Sequence, residues 1–254
     1  MIALRAAEIA EAIGGQLRGI DPDAVVAGTV VTDSREVEAG SIFVAIRGEH
    51  VDGHDYAVRA VQTGAALVIL EREVTAGGTD VELPAILVAD ATVALGALAR
   101  AVLANLRGRQ EGGPRVVAMT GSVGKTTTKD LLGSIFSHDG PTVAPVRSFN
   151  NEVGLPVTVL RCEENTSTLV LEMGASGPGH IRYLTDIAAP DVAAVLTVGS
   201  AHLGGFGGVE GIALAKSEIV TGLAPGGVAV LNADDPRVIA MRSLAKRVVT
   251  FGRT

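Results

Sequence analysis

The sequence is poor in cysteine and in aromatic residues, and each shortage excludes a class of protein. Its single cysteine, Cys162, allows no disulfide within the chain, so the pattern of a disulfide-stabilised secreted domain is absent and a reducing interior is expected. There is no tryptophan, and aromatic residues make up only 3% of the chain. Few side chains are therefore available on which the bases of a single-stranded nucleic acid could stack.

Long apolar runs and clusters of basic residues are also missing. The most apolar stretch, Ala188–Val198, is too short to span a bilayer and contains Pro190 and Asp191. The first residues, MIALRAAEIAEAIGG, lack the basic start and apolar block of a signal peptide. A net charge of −7 without a Lys/Arg cluster argues against a nucleic-acid surface. We therefore expect a cytoplasmic protein with no nucleic-acid partner and no membrane insertion.

The chain is long enough and apolar enough to form about two domains. It has 254 residues, of which 47% are hydrophobic. The polar, glycine-rich segment Leu106–Pro114 (LRGRQEGGP) is typical of a linker. Before it, Ser41–Ile46 and Ala66–Leu70 read as strands, with a helical pattern over Asp55–Thr63. We predict an α/β fold, with a small α/β domain over residues 1–108 and a second domain over residues 114–254.

The second region has the pattern of a mainly parallel sheet. Continuous apolar runs separated by helical segments indicate strands covered on both faces. These runs are Arg115–Met119, Thr168–Leu171, Val192–Val198 and Val228–Leu231. They lead into the sequences TGSVGKTT, EMGAS, GSAH and NADD. Because ligands bind beyond the carboxyl ends of parallel strands, these four sequences are predicted to form one site.

The first of these sequences predicts a phosphate-binding loop. It follows a strand and precedes a helical run, Lys125–Phe136. Gly121 and Gly124 allow backbone N–H groups to turn toward one point, and the helix N-terminus adds further donors. Lys125 can then reach the terminal phosphates of a nucleotide, and the hydroxyl of Thr126 is placed for Mg²⁺. The alternative is an ordinary glycine-rich turn, because the longer general pattern would have glycine where Met119 stands.

Three further side chains are candidates for chemistry. Glu172 ends a strand and could hold Mg²⁺, or it could equally be a capping or exposed residue. His202 follows another strand end, and a lone histidine is more often structural, as we also expect for His50, His54, His138 and His180. Lys216 falls on the apolar face of the helical segment Gly211–Leu223. From the pattern alone, its side chain is expected to extend along that face to water; if it were desolvated, its amine could act as a nucleophile.

The residues resemble the Mur ligases, which build the stem peptide of peptidoglycan. TGSVGKTTTK is similar to the ATP loop of that family, and TDSR at Thr32–Arg35, GSIFVAIR at Gly40–Arg47 and Asp52–Gly53 resemble its domain for the UDP end of the precursor. NNEVGLP, EMGA and AHLGGFGGVEGIALAKSEI favour the D-alanyl-D-alanine-adding members. The pattern departs from the family at Thr197, where asparagine is common, and at Gly208, where serine is common.

The resemblance implies ATP-dependent ligation with Mg²⁺. The carboxylate of a UDP-N-acetylmuramoyl-tripeptide is phosphorylated, and D-alanyl-D-alanine then displaces the phosphate. The catalytic residues implied are Lys125, Glu172, His202 and Lys216. Metal ligands would be Thr126, Glu172, His202 and a carbamylated Lys216. ATP contacts would be Gly121, Ser122, Val123, Gly124, Lys125, Thr126, Thr127 and Asn232. Substrate contacts would be Ser34, Arg35, Asn150 and Asn151.

The same resemblance predicts that the ATP domain is incomplete at Thr254 and that a third domain, for the incoming amine, is absent. We expect a monomer. The alternatives are a sister ligase that adds diaminopimelate or lysine, and a nucleotide-binding fragment without catalysis. Folate polyglutamylation shares the ATP loop, but the UDP-type N-terminal residues argue against it.

Overall fold

A computed structural model confirms the α/β fold class and divides the chain into two compact units, Met1–Asn105 and Leu106–Thr254. The structure describes residues 1–76, 79–80, 82–109, 113–199 and 206–253. No helix in these ranges is both long enough and apolar enough to cross a membrane.

The first unit is built around a five-stranded sheet. The strands described in this unit are β1 (Leu4–Arg5), β2 (Gln16–Arg18), β3 (Val25–Val26), β4 (Val30–Val31), β5 (Ile42–Val44), β6 (Leu67–Leu70), β7 (Thr75–Ala76), β8 (Thr79–Asp80) and β9 (Ala85–Leu87). The sheet order is β2-β9-β6-β5-β4, with β2 antiparallel to β9 and the other pairs parallel. Antiparallel pairs β1-β3 and β7-β8 form two small sheets.

The helices of this unit include the one predicted over Asp55–Thr63, whereas the helix that ends the unit was not predicted. They are α1 (Ala6–Ile13), α2 (Ala57–Thr63) and α3 (Ala91–Arg107), with 3-10 turns at Ser34–Glu36 and Gly53–Tyr56. The predicted helical segment thus begins as a 3-10 turn and continues as α2. Helix α3 extends through Leu106 and Arg107, the first two residues of the predicted linker. Leu106 is 1% exposed, and the burial of its side chain stabilises helical structure at the start of that polar segment.

The second unit contains a six-stranded sheet in which every strand pair is parallel. Its strands are β10 (Arg115–Thr120), β11 (Thr142–Val143), β12 (Thr168–Glu172), β13 (Val192–Val195), β14 (Val228–Asn232) and β15 (Val248–Phe251). The order is β11-β12-β10-β13-β14-β15. The four predicted strands are present, although β13 ends at Val195 instead of Val198. Strand β15 was missed, because it is an edge strand whose last three residues are exposed and carry no continuous apolar signal.

The connections of this sheet reverse direction next to the predicted loop. Helices α4 (Lys125–Phe136), α5 (Gly154–Val159), α6 (His180–Ile187), α7 (Val209–Thr221) and α8 (Pro236–Ala240) join its strands, and a 3-10 turn covers Met241–Leu244. From β10 the chain crosses through α4 toward β11, whereas from β13 it crosses through α7 toward β14 on the other side. Neighbouring strands β10 and β13 therefore open a crevice at their carboxyl ends.

Helix α4 carries a buried lysine that was not among the predicted site residues. Lys129 is 1% exposed, and its Nζ donates to the carbonyl oxygen of Pro145 at 2.8 Å. The same ammonium lies 2.7 Å from a carboxylate oxygen of Asp130. These partners offset part of the cost of burying the charge. They also fix the start of the segment that leads to Asn150.

We predict that Lys129→Ala destabilises the second unit. The substitution leaves a cavity and removes the donor for the Pro145 carbonyl, so the free energy of unfolding should fall by about 2 to 4 kcal/mol. Urea denaturation measures this change. Lys246→Ala is the matched control, because Lys246 is exposed and should change stability by less than about 0.5 kcal/mol. Equal urea midpoints for the two variants would contradict the structural role of Lys129.

Candidate active site

The loop between β10 and α4 has a conformation that requires both of its glycines. Gly124 has a φ of 85°, in the left-handed region that glycine adopts without strain. A Cβ atom at Gly121 would lie 3.0 Å from the Cβ of Leu196 and 3.1 Å from the carbonyl oxygen of Val123. The first N–H groups of α4 have no partner within the helix, and they carry its partial positive charge. This end of the helix is suited to binding an anion.

Lys125 and Thr126, the first residues of α4, each make a hydrogen bond within the site. The Nζ of Lys125 donates to the carbonyl oxygen of Gly121 at 2.9 Å, so its ammonium lies over the loop. The hydroxyl of Thr126 donates to Oε2 of Glu172 at 3.1 Å. The helix start is thereby connected to the end of strand β12.

Glu172 is held rigidly at the end of β12. It is 1% exposed, so it is neither an exposed nor a solvated capping residue. Its Oε1 accepts a hydrogen bond from Nδ2 of Asn150 at 2.7 Å, and its Oε2 accepts the bond from Thr126. The Glu172 carboxylate and the Thr126 hydroxyl thus place oxygen atoms next to each other, and Mg²⁺ prefers oxygen ligands. Besides phosphate oxygens, Mg²⁺ commonly binds only one or two protein carboxylates. The residues present fit such an ion.

Lys216 is buried, contrary to the expectation from its helix pattern. The residue is 6% exposed, so its head group does not extend into bulk water. Burial lowers the pKa of Lys216 to about 8, and the positive charge of Lys125 contributes in the same direction. Both causes disfavour the protonated amine. About a tenth of the amine is therefore neutral and nucleophilic at pH 7, and the neutral fraction grows as the pH rises.

A cavity of about 650 Å³ is lined by both lysines of the site. Its lining includes Lys125, Asn150, Asn151, His180, Tyr183 and Lys216. Asn151 also accepts, through Oδ1, a hydrogen bond at 2.9 Å from the N–H of Gly154, the first residue of helix α5. The loop lysine, the buried lysine and two predicted substrate residues thus share one cavity.

The remaining predicted residues lie elsewhere or already have partners. Asn232 donates through Nδ2 to the carbonyl oxygen of Leu196 at 2.8 Å, and its Oδ1 accepts from the N–H of Asp234. Ser34 and Arg35 belong to the first unit, where the Arg35 guanidinium pairs with the carboxylate of Asp33. His202 lies outside the described residues.

Two histidines that were given a structural interpretation have different surroundings. His54 is buried, with Nδ1 2.6 Å from Oδ1 of Asp52, and its Nε2 accepts the N–H of Glu71 at 2.8 Å, which is a structural role. His180 lines the cavity, and its Nδ1 lies 2.6 Å from the hydroxyl of Ser176. Its place at the start of α6, shortly after the EMGAS strand end, is the sequence signal that could have identified it.

Comparison with protein families agrees with this geometry. The family description "Mur ligase middle domain" matches residues 119–254, and "Mur ligase family, catalytic domain" matches residues 28–103. The chain belongs to the Mur ligase family. The first match covers the parallel-sheet unit almost entirely, including the phosphate loop, Glu172 and Lys216.

Relatives of this Mur ligase chain are longer than it is. It is 44% identical over 272 residues to the UDP-N-acetylmuramoyl-tripeptide–D-alanyl-D-alanine ligase of Mycobacterium tuberculosis (strain ATCC 25618 / H37Rv), a match covering 100% of this chain and 53% of the relative. The chain spans about half the length of the curated relatives it matches.

Solved structures show the same fold. A crystal structure of MurF from Acinetobacter baumannii superimposes with a TM-score of 0.86 at 35% identity, covering 99% of this chain and 54% of that one. MurF ligase from Thermotoga maritima, solved in complex with ADP, gives a TM-score of 0.76 at 36% identity over 90% of this chain and 51% of that one. The MurF of Thermotoga maritima thus binds an adenine nucleotide on a related fold.

We predict that Lys216 reacts with CO₂ in a pH-dependent manner. An amine with a pKa of about 8 is mostly protonated below that pH and mostly neutral above it. With ¹³C-labelled CO₂ at a fixed partial pressure, a carbamate NMR signal should therefore grow between about pH 7 and pH 9. Besides the carbamate resonance of the α-amino group of Met1, one further resonance should be present in Lys246→Ala and absent from Lys216→Ala. An unchanged signal in Lys216→Ala would show that another amine is modified.

Proposed function

We propose that this chain is the N-terminal and central part of an ATP-dependent ligase that adds D-alanyl-D-alanine to a UDP-N-acetylmuramoyl-tripeptide. The observation that carries the proposal is the cavity of the second unit, which is lined by Lys125, by Lys216 and by Asn150, the hydrogen-bond partner of Glu172. Relatives bearing that ligase name match the chain over its whole length. The protein is proposed to act in the cytoplasm as a monomer.

The phosphate loop is proposed to hold the ATP phosphates. Lys125 would exchange the Gly121 carbonyl for phosphate oxygens, and the N–H groups at the start of α4 would contribute the remaining donors. The ATP-binding set is Gly121, Ser122, Val123, Gly124, Lys125, Thr126 and Thr127, with Asn232 on the adenine. Since Asn232 already contacts Leu196 and Asp234, it would present its remaining amide hydrogen to the base.

Thr126 and Glu172 would hold Mg²⁺, together with His202 and a carbamylated Lys216. When bound, the ion neutralises the charge that develops on the phosphates during transfer. In carbamylation the neutral amine of Lys216 forms a bond to the carbon of CO₂ and loses a proton. The neutral side chain thereby becomes an anion, which the positive charge of Lys125 would attract, whereas burial and that same charge both disfavour the protonated amine.

The substrate carboxylate is proposed to enter the cavity near Lys125, with Asn150 and Asn151 contacting the sugar or phosphate end of the substrate. Lys125 would stabilise the negative charge as the γ-phosphate passes to that carboxylate. The product of this step is an acyl phosphate, whose phosphate leaves when the amine of the dipeptide attacks. Ser34 and Arg35, in the domain over residues 1–108, would bind the UDP end. The domain over residues 114–254 would bind ATP.

A nucleotide-binding module without ligation activity is the second candidate. The described residues supply contacts for a nucleotide and for Mg²⁺, whereas we assign none of them to the dipeptide. Both oxygens of Glu172 and the ammonium of Lys125 already have fixed partners. Such an arrangement can bind ATP without turning it over.

We predict that Lys125→Ala weakens Mg-ATP binding to this chain. Two unit charges about 4 Å apart interact by about 4 kcal/mol at an effective dielectric near 20, and partial exposure reduces the loss, so the affinity should fall by roughly 10- to 1,000-fold. Isothermal titration calorimetry measures the change. Lys246→Ala removes an exposed lysine away from the cavity and should bind as the unsubstituted chain does. Comparable affinity in Lys125→Ala would argue against the proposed phosphate site.

A coupled ADP-release assay separates the candidate functions. With UDP-N-acetylmuramoyl-tripeptide present, a protein containing this chain should release ADP when D-alanyl-D-alanine is added, because the amine completes the reaction. With UDP-N-acetylmuramoyl-dipeptide present, diaminopimelate or lysine should not substitute. Robust turnover that depends on D-alanyl-D-alanine, catalysed by the 254 residues alone, would eliminate the non-catalytic module. Turnover with diaminopimelate or lysine, and none with D-alanyl-D-alanine, would assign the protein to the sister ligase.

A further inference from the structure

The chain after strand β13 runs along the phosphate loop. We name residues Leu196–Gly199 the strap. The N–H of Ser122 donates to the carbonyl oxygen of Thr197 at 3.0 Å, and the N–H of Val123 donates to the Thr197 hydroxyl at 3.2 Å. At the end of the strap, the N–H of Gly199 donates to the hydroxyl of Ser122 at 2.8 Å. Two longer contacts of 3.5 Å add to these three hydrogen bonds, one from the Ser122 hydroxyl to the Gly199 carbonyl and one from the Thr197 hydroxyl to the Val123 carbonyl.

The opposite side of the strap is fixed to the chain after β14. The N–H of Val198 donates to Oδ2 of Asp235 at 2.8 Å, and Nδ2 of Asn232 donates to the Leu196 carbonyl at 2.8 Å. The other oxygen of Asp235 accepts the N–H of Arg237 at 3.0 Å, at the start of α8. The strap thus lies between two strand ends and has little freedom to move independently of either.

The loop and the strap are also packed so closely that no side chain fits between them at Gly121. A side chain at Gly121 would meet the Cβ of Leu196 at 3.0 Å and the N–H nitrogen of Thr197 at 3.4 Å. Because the contact is close, the position of the strap decides the path of the loop backbone. The Ser122 and Val123 N–H groups are occupied by Thr197, which leaves the N–H groups at the start of α4 to face an anion.

We propose that Thr197 is a positioning residue for nucleotide binding, which keeps the phosphate loop in its binding shape before ATP arrives. This inference rests on the proposed function of the loop. Without the hydroxyl, the N–H of Val123 loses its acceptor and the loop gains alternative conformations. Nucleotide binding must then restrict the loop to one conformation, and the entropy lost in doing so weakens the affinity. The carbonyl of Thr197 accepts from Ser122 with any side chain, so the hydroxyl is the contact that substitution can remove.

The test compares Mg-ATP affinity in four forms of this chain by isothermal titration calorimetry. Thr197→Val keeps the shape and deletes the hydroxyl, so binding should weaken roughly three- to tenfold. Thr197→Ser restores the hydroxyl and should bind within about twofold of the unsubstituted chain. Thr142→Val is the matched control, because the Thr142 hydroxyl donates to the carbonyl oxygen of Gly140 at 3.0 Å on a different strand. It should not change the affinity.

Melting temperatures without nucleotide accompany each titration. If the Thr197 hydroxyl only stabilises the fold, Thr197→Val should have a lower melting temperature as well as a weaker affinity. If the hydroxyl positions the loop, Thr197→Val should bind more weakly at a similar melting temperature. If Thr197→Val does not fold, Thr197→Ala replaces it. Equal affinity in the hydroxyl-free variant, or an equal loss in Thr197→Ser, would overturn the proposal while leaving the proposed function intact. Absence of binding in the unsubstituted chain would overturn both.

Discussion

The register of the parallel sheet is the constraint on which the site depends. Met119 pairs with Glu172, and Thr120 pairs with Val195, which in turn pairs with Leu231. These pairings bring the ends of four strands level at one edge. A shift of one residue in any strand would turn its side chains to the other face of the sheet. The phosphate loop, the carboxylate and the strap meet because the strands end together.

Among the described residues of the second unit, three charged side chains are buried, and their surroundings distinguish structural from chemical roles. Lys129 and Glu172 have fixed hydrogen-bond partners, which offset the desolvation of each charge. For Lys216 the neighbouring charge that acts is the like charge of Lys125. A buried cation beside another cation is unfavourable, and loss of a proton or conversion to an anion relieves it. The surroundings therefore indicate a chemical role for Lys216 and a structural role for Lys129.

Much of the fold could be predicted from the sequence because its signals are local. Apolar runs indicated four parallel strands of the second unit, and the helix after the loop has the predicted bounds, Lys125–Phe136. The loop itself could be recognised because the positive φ of Gly124 is a local requirement. Strand β15 could not be predicted, since edge pairing with β14 stabilises it and its own residues are exposed. The burial of Leu106 likewise depends on neighbours distant in sequence.

By itself, the sequence determined the alternation of strands and helices, the phosphate loop and the family, because each is carried by residues close together in the chain. The tertiary structure decided the environment of side chains on different elements. It buried Lys216 when the helix pattern favoured exposure, placed His180 in the cavity, and joined Thr197 to Val123 across 74 positions of sequence. Such contacts arise only when the sheet brings its strand ends together, since desolvation and hydrogen bonding depend on neighbours in space.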